Sequence, residues 1–285
     1  MREGKTSTTA NVVSLLRALA SLPDTPYRAG SDPVARELLP LPYSALLDAV
    51  ARAPLLLGPV RLASLGLLDH IALRTAAIDR EIELAAEAGL EQLVVLGAGL
   101  DARAFRLDAL SRATVFEVDY PATHAFKRER SRSLEPRCRE LRAVAVDFAR
   151  DSLAERLAQA GHETERPTIW VWEGVTPYLP IPAIQSTLSV VGERSASGSV
   201  LCVTYITPEL AAVPIVPHAL MRLAFDIIGE PIEGILSEDQ MTTLLGAAGF
   251  RVQRDTGSRA WAADFKRGRL SRIQILEQLA VAVRS

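Results

Sequence analysis

Residues 92–119 read QLVVLGAGLDARAFRLDALSRATVFEVD. The apolar run Leu93-Val94-Val95-Leu96 has the unbroken pattern of a strand buried on both faces, as in a parallel sheet. It runs directly into Gly97-Ala98-Gly99. A short helical piece follows, then a second strand at residues 114–118 that ends in Asp119. Open parallel sheets bind ligands at the carboxyl ends of their strands. Glycines there let the backbone approach a ligand closely. A carboxylate about 20 residues past the turn can accept both hydroxyls of a ribose. The stretch therefore predicts an adenosine-containing cofactor held against a doubly wound sheet. Gly97-x-Gly99-x-x-Ala102 fits the dinucleotide fingerprint. It fits equally the glycine turn of S-adenosylmethionine (SAM) enzymes, which cradle a methionine tail rather than a pyrophosphate.

Working outward toward the C-terminus, residues 121–134 form a basic helix whose Lys127-Arg128-Glu129-Arg130 run is expected on a solvated face. Residues 141–146 are a third strand ending at Asp147-Phe148. Asp151 is expected to cap a helix at 152–160, which Gly161 ends. Residues 168–172 are a fourth strand ending in Glu173-Gly174. Three successive strands thus end in an acid: Asp119, Asp147 and Glu173. Such a rim favours a cationic adenosine-containing ligand, with one acid for the ribose, one for the adenine amine and one near an ammonium or sulfonium. An NAD pyrophosphate would sit poorly beside so much carboxylate. A helix at 182–192 and a fifth strand at 199–206 follow. Residues 207–236 are apolar and proline-bearing and read as an insertion after strand five, with 219–228 helical. Ser237-x-x-Gln240 is a capping box opening a helix that stops at Gly249. Residues 250–256 are a strand, 261–267 are read as helical, and 279–284 fit a last strand.

Toward the N-terminus, residues 70–88 are the strongest helix, closed by Gly89. Ile71, Ile78, Ile82 and Ala85 mark its inward stripe. Arg74 lies three residues from Ile71 and four from Ile78, so it shares that stripe. A guanidinium directed inward needs an acidic partner or an anionic ligand. Helical spacing also marks residues 8–21, and short helices lie at 44–53 and about 59–68. Asp32-Pro33 is expected to start another, with Asp32 as N-cap. No alternating strand pattern precedes residue 92. Residues 1–88 are therefore expected to be a helical cap, and 89–285 the cofactor-binding α/β domain, with the 207–236 insertion joining the cap.

Composition narrows the function classes. A 48% hydrophobic share and a net charge of −2 describe a well-cored chain without a strong electrostatic pull toward nucleic acid or anionic membrane. Cys138 and Cys202 are too few for a disulfide framework, and the expected setting is the cytosol. Neither they nor the four histidines show metal-ligand spacing.

The motifs LGAGLDARAFRL, FEVDYP, VDF and WEGVTPYL, with LRTAAID upstream, resemble the leucine carboxyl methyltransferase family, and more narrowly its bacterial branch of small-molecule O-methyltransferases. The resemblance covers roughly residues 70–180. It implies the class I methyltransferase fold: a Rossmann-like, mostly parallel sheet with one antiparallel strand, plus an α-helical cap. It implies SAM as cofactor and S-adenosylhomocysteine (SAH) as product. Arg74 would bind the methionine carboxylate, and Gly97, Ala98 and Gly99 would line the tail. Asp119 would hold the ribose and Asp147 with Phe148 the adenine, Tyr120 would be a further cofactor-binding residue, and Glu173-Gly174 would lie near the amino group. Tyr178 would face the substrate. Eukaryotic members use an N-terminal lysine on the cofactor; Lys5, Arg17 and Arg28 are the candidates for that place.

Methyl transfer from a sulfonium is a direct displacement, and positioning supplies most of the acceleration. A carboxylate acceptor needs no base, only a clamp, for which Arg222, Tyr178 or Tyr205 qualify. A phenol or alcohol would benefit from a base, for which His218 ranks ahead of His124. The expected acceptor is a small molecule, polyketide-like or another secondary metabolite. A competing expectation is an NAD(P)-dependent oxidoreductase with a Rossmann domain, although no Tyr-x-x-x-Lys pair is present. A non-catalytic scaffold is a third, which would have no need of Arg74, Asp119 and Glu173.

Overall fold

A computed structural model of the chain describes residues 8–23, 25–27, 30–148, 150–208, 232–265 and 277–285. The seven strands among them form one sheet in the order β3-β2-β1-β4-β5-β7-β6. These are β1 (Gln92–Leu96), β2 (Thr114–Asp119), β3 (Glu140–Ala145), β4 (Thr168–Trp172), β5 (Val200–Ile206), β6 (Phe250–Gly257) and β7 (Glu277–Arg284). The pairs β1–β2, β1–β4, β2–β3 and β4–β5 are parallel. Strand β7 runs antiparallel to both β5 and β6. The chain order reverses between β1 and β4, and the Gly97-Ala98-Gly99 turn leaves β1 at that crevice. This is the expected mostly parallel sheet with one antiparallel strand.

Every residue of β1, β2 and β4 is buried; β1 and β4 are largely apolar runs, whereas β2 also buries Glu117, which Lys127 meets. One face of the sheet packs Phe116, Trp170, Trp172 and Tyr205 against α8 (Leu153–Gln159), α9 (Ile181–Glu193) and α10 (Glu238–Ala247). The other face packs Val95, Ile169 and Cys202 against α5 (Leu67–Glu87), α6 (Arg103–Arg106) and α11 (Ser258–Phe265). A separate apolar cluster joins α1 (Thr8–Ala20), α2 (Ala35–Leu38) and α3 (Leu41–Arg52) to the first half of α5, with Leu57 and Val60 of α4 (Leu57–Ala63) against it. Helix α5 thus serves two cores: Leu68, Ile71 and Ala72 face the N-terminal helices, while Ile78 and Ile82 face the sheet.

Two local expectations need correction, and a third holds with an offset. Asp32 makes the capping bond expected of it, its carboxylate accepting from the Ala35 N–H at 3.0 Å, although the regular turns of α2 begin only after Val34. Asp151 does not cap α8. Ser152 takes that place, and Asp151 accepts from the Asp147 N–H and from Arg156. The basic run of α7 (Pro121–Arg130) is not wholly solvated: Lys127 is buried and pairs with Glu117 of β2 at 2.7 Å. The helix is amphipathic, and position 127 falls on its inner face. The Ser237–Gln240 capping box forms as read. The 207–236 insertion falls mostly outside the described residues, as do Lys5, Arg28, His218 and Arg222. Among the described residues no single helix is long and apolar enough to cross a membrane.

Candidate active site

The turn after β1 decides the site's shape. Gly97 and Gly99 have φ of +67° and +48°, a region that side-chain-bearing residues reach only with strain. A Cβ on Gly97 would lie 2.5 Å from Val175 Cγ2, so the turn packs directly against the segment that follows β4. The N–H groups of Gly97 and Ala98 both donate to Val118 O, which ties the turn to the end of β2. Helix α1 comes close from above: a Cβ on Gly99 would be 3.6 Å from Ala10 Cβ.

Asp119 stands where β2 ends. Its Oδ2 accepts from the Gly99 N–H at 2.6 Å and its Oδ1 from the Tyr120 N–H at 2.7 Å. Each carboxylate oxygen has a second lone pair, so two backbone donors fix the group and leave it two acceptor positions. The Tyr120 and Phe148 rings meet edge to face with centroids 5.9 Å apart. Phe148 is 46% exposed, an open aromatic surface beside Asp119. Burial, then the Asp147 and Asp119 carboxylates, push the Tyr120 phenol up, so it stays protonated.

Glu173 is the centre of a buried ion-pair network. Its Oε1 accepts from Arg17 Nη2 of α1 at 2.7 Å and from Arg74 Nε of α5 at 2.9 Å; its Oε2 accepts from Arg103 Nη1 of α6 at 2.8 Å. Burial opposes its ionisation, but Arg17, Arg103 and Arg74 outweigh that and hold the carboxyl well below the usual carboxylate range. Arg103 also binds Asp101 and Asp79, and Asp79 binds Arg106. Arg74 Nη1 reaches both oxygens of Glu277, at 3.0 and 2.7 Å. Gly174, at φ +67°, leaves room beside Arg74; a Cβ there would sit 3.6 Å from Nη2.

Most expected site residues therefore gather on one rim: Arg74, Gly97, Ala98, Gly99, Asp119, Tyr120, Asp147, Phe148, Glu173 and Gly174. Tyr178 lies further along, on the one-turn 3₁₀ segment Thr176–Tyr178 that follows Gly174. One argument is overturned. The rim does not carry a surplus of carboxylate at Glu173, because three guanidinium groups surround that acid. Of Lys5, Arg17 and Arg28, only Arg17 lies among the described residues, and it meets Glu173. Sequence reading missed Asp79, Asp101, Arg103, His70 and Glu277. The signal for the first three was available: charged residues at inward positions of α5 and in the decisive stretch itself.

The arrangement fits SAM on its own observations. Arg17 Nε and Arg103 Nη2 are buried donors without a partner among the described residues, suited to a carboxylate. Asp119 offers a fixed pair of acceptors for a diol, and Phe148 an open ring for a purine.

Fold and rim define a class I methyltransferase architecture. Over its full length the chain superposes on two solved structures: a DUF574 family protein from Streptomyces avermitilis (TM-score 0.62, 15% identity, 99% of each chain) and a methyltransferase from Thermobifida fusca assigned only provisionally (TM-score 0.61, 18% identity, 99% of this chain and 96% of that one). Residues 10–192 match the leucine carboxyl methyltransferase family, and the chain belongs to it. Its relatives are provisionally named S-adenosyl-L-methionine-dependent methyltransferases. One from Streptomyces coelicolor is 42% identical over 131 residues, 45% of this chain and 46% of the relative; one from Saccharopolyspora erythraea is 36% identical over 213 residues, 73% of this chain and 72% of the relative. The matches to the first of these relatives span about half their length. The family uses SAM, and nothing in these likenesses supports a nicotinamide oxidoreductase.

Proposed function

We propose that this protein is an SAM-dependent O-methyltransferase that acts on a carboxylate or hydroxyl of a small molecule. The observation that carries the reading is the Asp119 carboxylate, aimed by the Gly99 and Tyr120 amides beside a cluster of arginines with unmade hydrogen bonds. When bound, SAM supplies an electrophilic methyl carbon on a sulfonium. Asp119 accepts from the ribose hydroxyls. Tyr120, Asp147 and Phe148 hold the adenine. Arg74, with Arg17, takes the methionine carboxylate, and Gly97, Ala98, Gly99 and Gly174 let the backbone close on the tail. Glu173 keeps those arginines in place and excludes water by filling the floor.

In this reading residues 1–88 cap the site and residues 207–236 join that cap. The enzyme is cytoplasmic, with neither membrane nor nucleic acid as partner, and it serves secondary metabolism. Tyr178 is the described residue assigned to the acceptor side, as a hydroxyl clamp. His218 and Arg222 remain candidates from the sequence for base and clamp. The test is incubation with methyl-labelled SAM and a panel of aromatic and polyketide-like acids and phenols. Label in a base-labile product identifies a methyl ester, and label in a base-stable one a methyl ether. Absence of any transfer, with no binding of SAM or SAH by calorimetry, would overturn the reading.

A further inference from the structure

We propose that Glu277, at the start of β7, is the positioning residue that sets the cofactor-facing geometry of Arg74; the proposal rests on the SAM reading above. Glu277 is 4% exposed and lies 203 residues from Arg74 in sequence. Its carboxylate is met by three side chains from two elements. Arg74 Nη1 of α5 binds both of its oxygens. His70 Nε2, one turn earlier on α5, lies 2.5 Å from Oε2. Thr204 of β5 lies beside it and helps hold it ionised, and the Thr204 hydroxyl oxygen accepts from the Gly174 N–H at 2.8 Å. The carboxylate thus holds Arg74 directly and adjoins, through Thr204, the Glu173–Gly174 turn.

The guanidinium fork shows what this does. Nε is taken by Glu173 and Nη1 by Glu277. Among the described residues Nη2 has no hydrogen-bond partner, and it faces the Cβ-free space at Gly174. With Nε and Nη1 held by different acids, the guanidinium cannot turn without breaking one of these pairs. The third corner is left toward Gly174 as a fixed donor. A planar fork held at two corners is a better carboxylate receptor than a free one, because no ordering remains to be done at binding. His70 completes the support. Its Nδ1 is 2.8 Å from Ser258 Oγ, which opens α11, and Trp261 of the same helix packs on its ring at 5.7 Å. Facing Glu277 are thus Arg74, His70 and Thr204, with Glu173 across the guanidinium. Placing the supporting acid on the last strand ties a correct site to a completed sheet.

The experiment is calorimetric titration of the wild type, Glu277→Gln and His70→Phe with SAH and with adenosine, alongside Tm. Adenosine lacks the carboxylate and reads the Asp119–Phe148 half alone. The expected result for Glu277→Gln is a loss of SAH affinity of about tenfold or more with adenosine affinity within twofold, since a small displacement of a positioning group is costly. SAH affinity unchanged, or SAH and adenosine falling together with Tm, overturns the proposal. Should Glu277→Gln not fold, His70→Phe decides. It leaves the Arg74–Glu277 pair in place and removes one support, and a selective loss of about threefold for SAH is expected; no selectivity overturns the proposal. A wild type that binds neither ligand removes the SAM reading beneath it, and that result is distinct because it appears before any variant is compared.

Discussion

The two rims of the sheet handle polar groups in opposite ways. At the amino ends of the strands, Gln92, His162, Thr168 and Ser199 are buried and bond with one another and with nearby backbone. Gln92 Nε2 donates to Glu163 O, and Gln92 Oε1 accepts from the Glu163 N–H; His162 Nε2 lies 3.0 Å from Thr168 Oγ1; the Thr168 N–H donates to Ser199 Oγ. These groups are neutral and are joined across 6 to 76 residues of sequence. At the carboxyl ends, Arg17, Arg74, Arg103, Glu173 and Glu277 are charged, buried and joined across 70 to 203 residues of sequence, and each of the three guanidinium groups keeps a donor without a partner among the described residues. Buried charge is retained at high desolvation cost. A rim that only held the fold together could use the neutral solution, as the opposite rim does. The difference supports the proposal that the charged rim takes the ligand.

The sharpest way to break the comparison is Glu173→Gln. It strands three arginines at once, and we expect a loss of about 3–5 kcal/mol of stability by denaturant unfolding, because removing one partner leaves buried charge uncompensated. A loss under about 1 kcal/mol would show that water reaches the network. Asp119→Ala comes next. Its two partners are backbone amides, so the fold should hold while SAH affinity falls on the order of 100-fold, about 2.7 kcal/mol. Equal affinity would remove the ribose assignment.

The neutral rim gives the pH dependence. Burial, then Arg194, lower the His162 pKa to about 4 from its ordinary value near 6.5. The folded chain therefore holds this imidazole neutral where the unfolded chain protonates it. That contribution is complete above pH 6.5 and is lost as pH falls from 6.5 toward 4, on the order of 3 kcal/mol in all. Urea unfolding at pH 7 and pH 4.5 measures it, and His162→Gln should flatten the difference. Glu277 acts lower. Burial works against its ionisation, but Arg74 and His70 bring its pKa down to about 2, so its contribution is lost only below the ordinary carboxylate range. The two rims should therefore fail in separate pH windows, the neutral one first. Gly97→Ala, at φ +67° and against Val175, should cost about 1–2 kcal/mol. Arg137→Ala, which removes an exposed pair with Asp108, should cost less than about 0.5 kcal/mol.

The sheet was legible because its signals are local. Buried parallel strands write continuous apolar runs, and β1, β2 and β4 match their runs within a residue. Glycine at positive φ and acids at strand ends are likewise read one residue at a time, which is why Gly97, Gly99, Asp119 and Glu173 could be singled out. Lys127 was misread for the converse reason. A charge run looks solvated until a partner such as Glu117 is known to lie beneath it. Glu277 sat in a segment whose start was placed two residues late, with nothing nearby in sequence to mark it.

The sequence by itself determined the order of strands and helices, the glycine turn, the acid that closes β2 and the family, because each depends on residues within one or two turns of chain. Only the tertiary structure decided which charges answer one another. Arg17, Arg74 and Arg103 could each have pointed to solvent. They converge on Glu173 because the sheet reverses its strand order between β1 and β4 and α1 and α5 close over that crevice. An ion pair spanning 156 residues leaves no trace in spacing; its cause is the desolvation of groups that folding brings within 3 Å of one another.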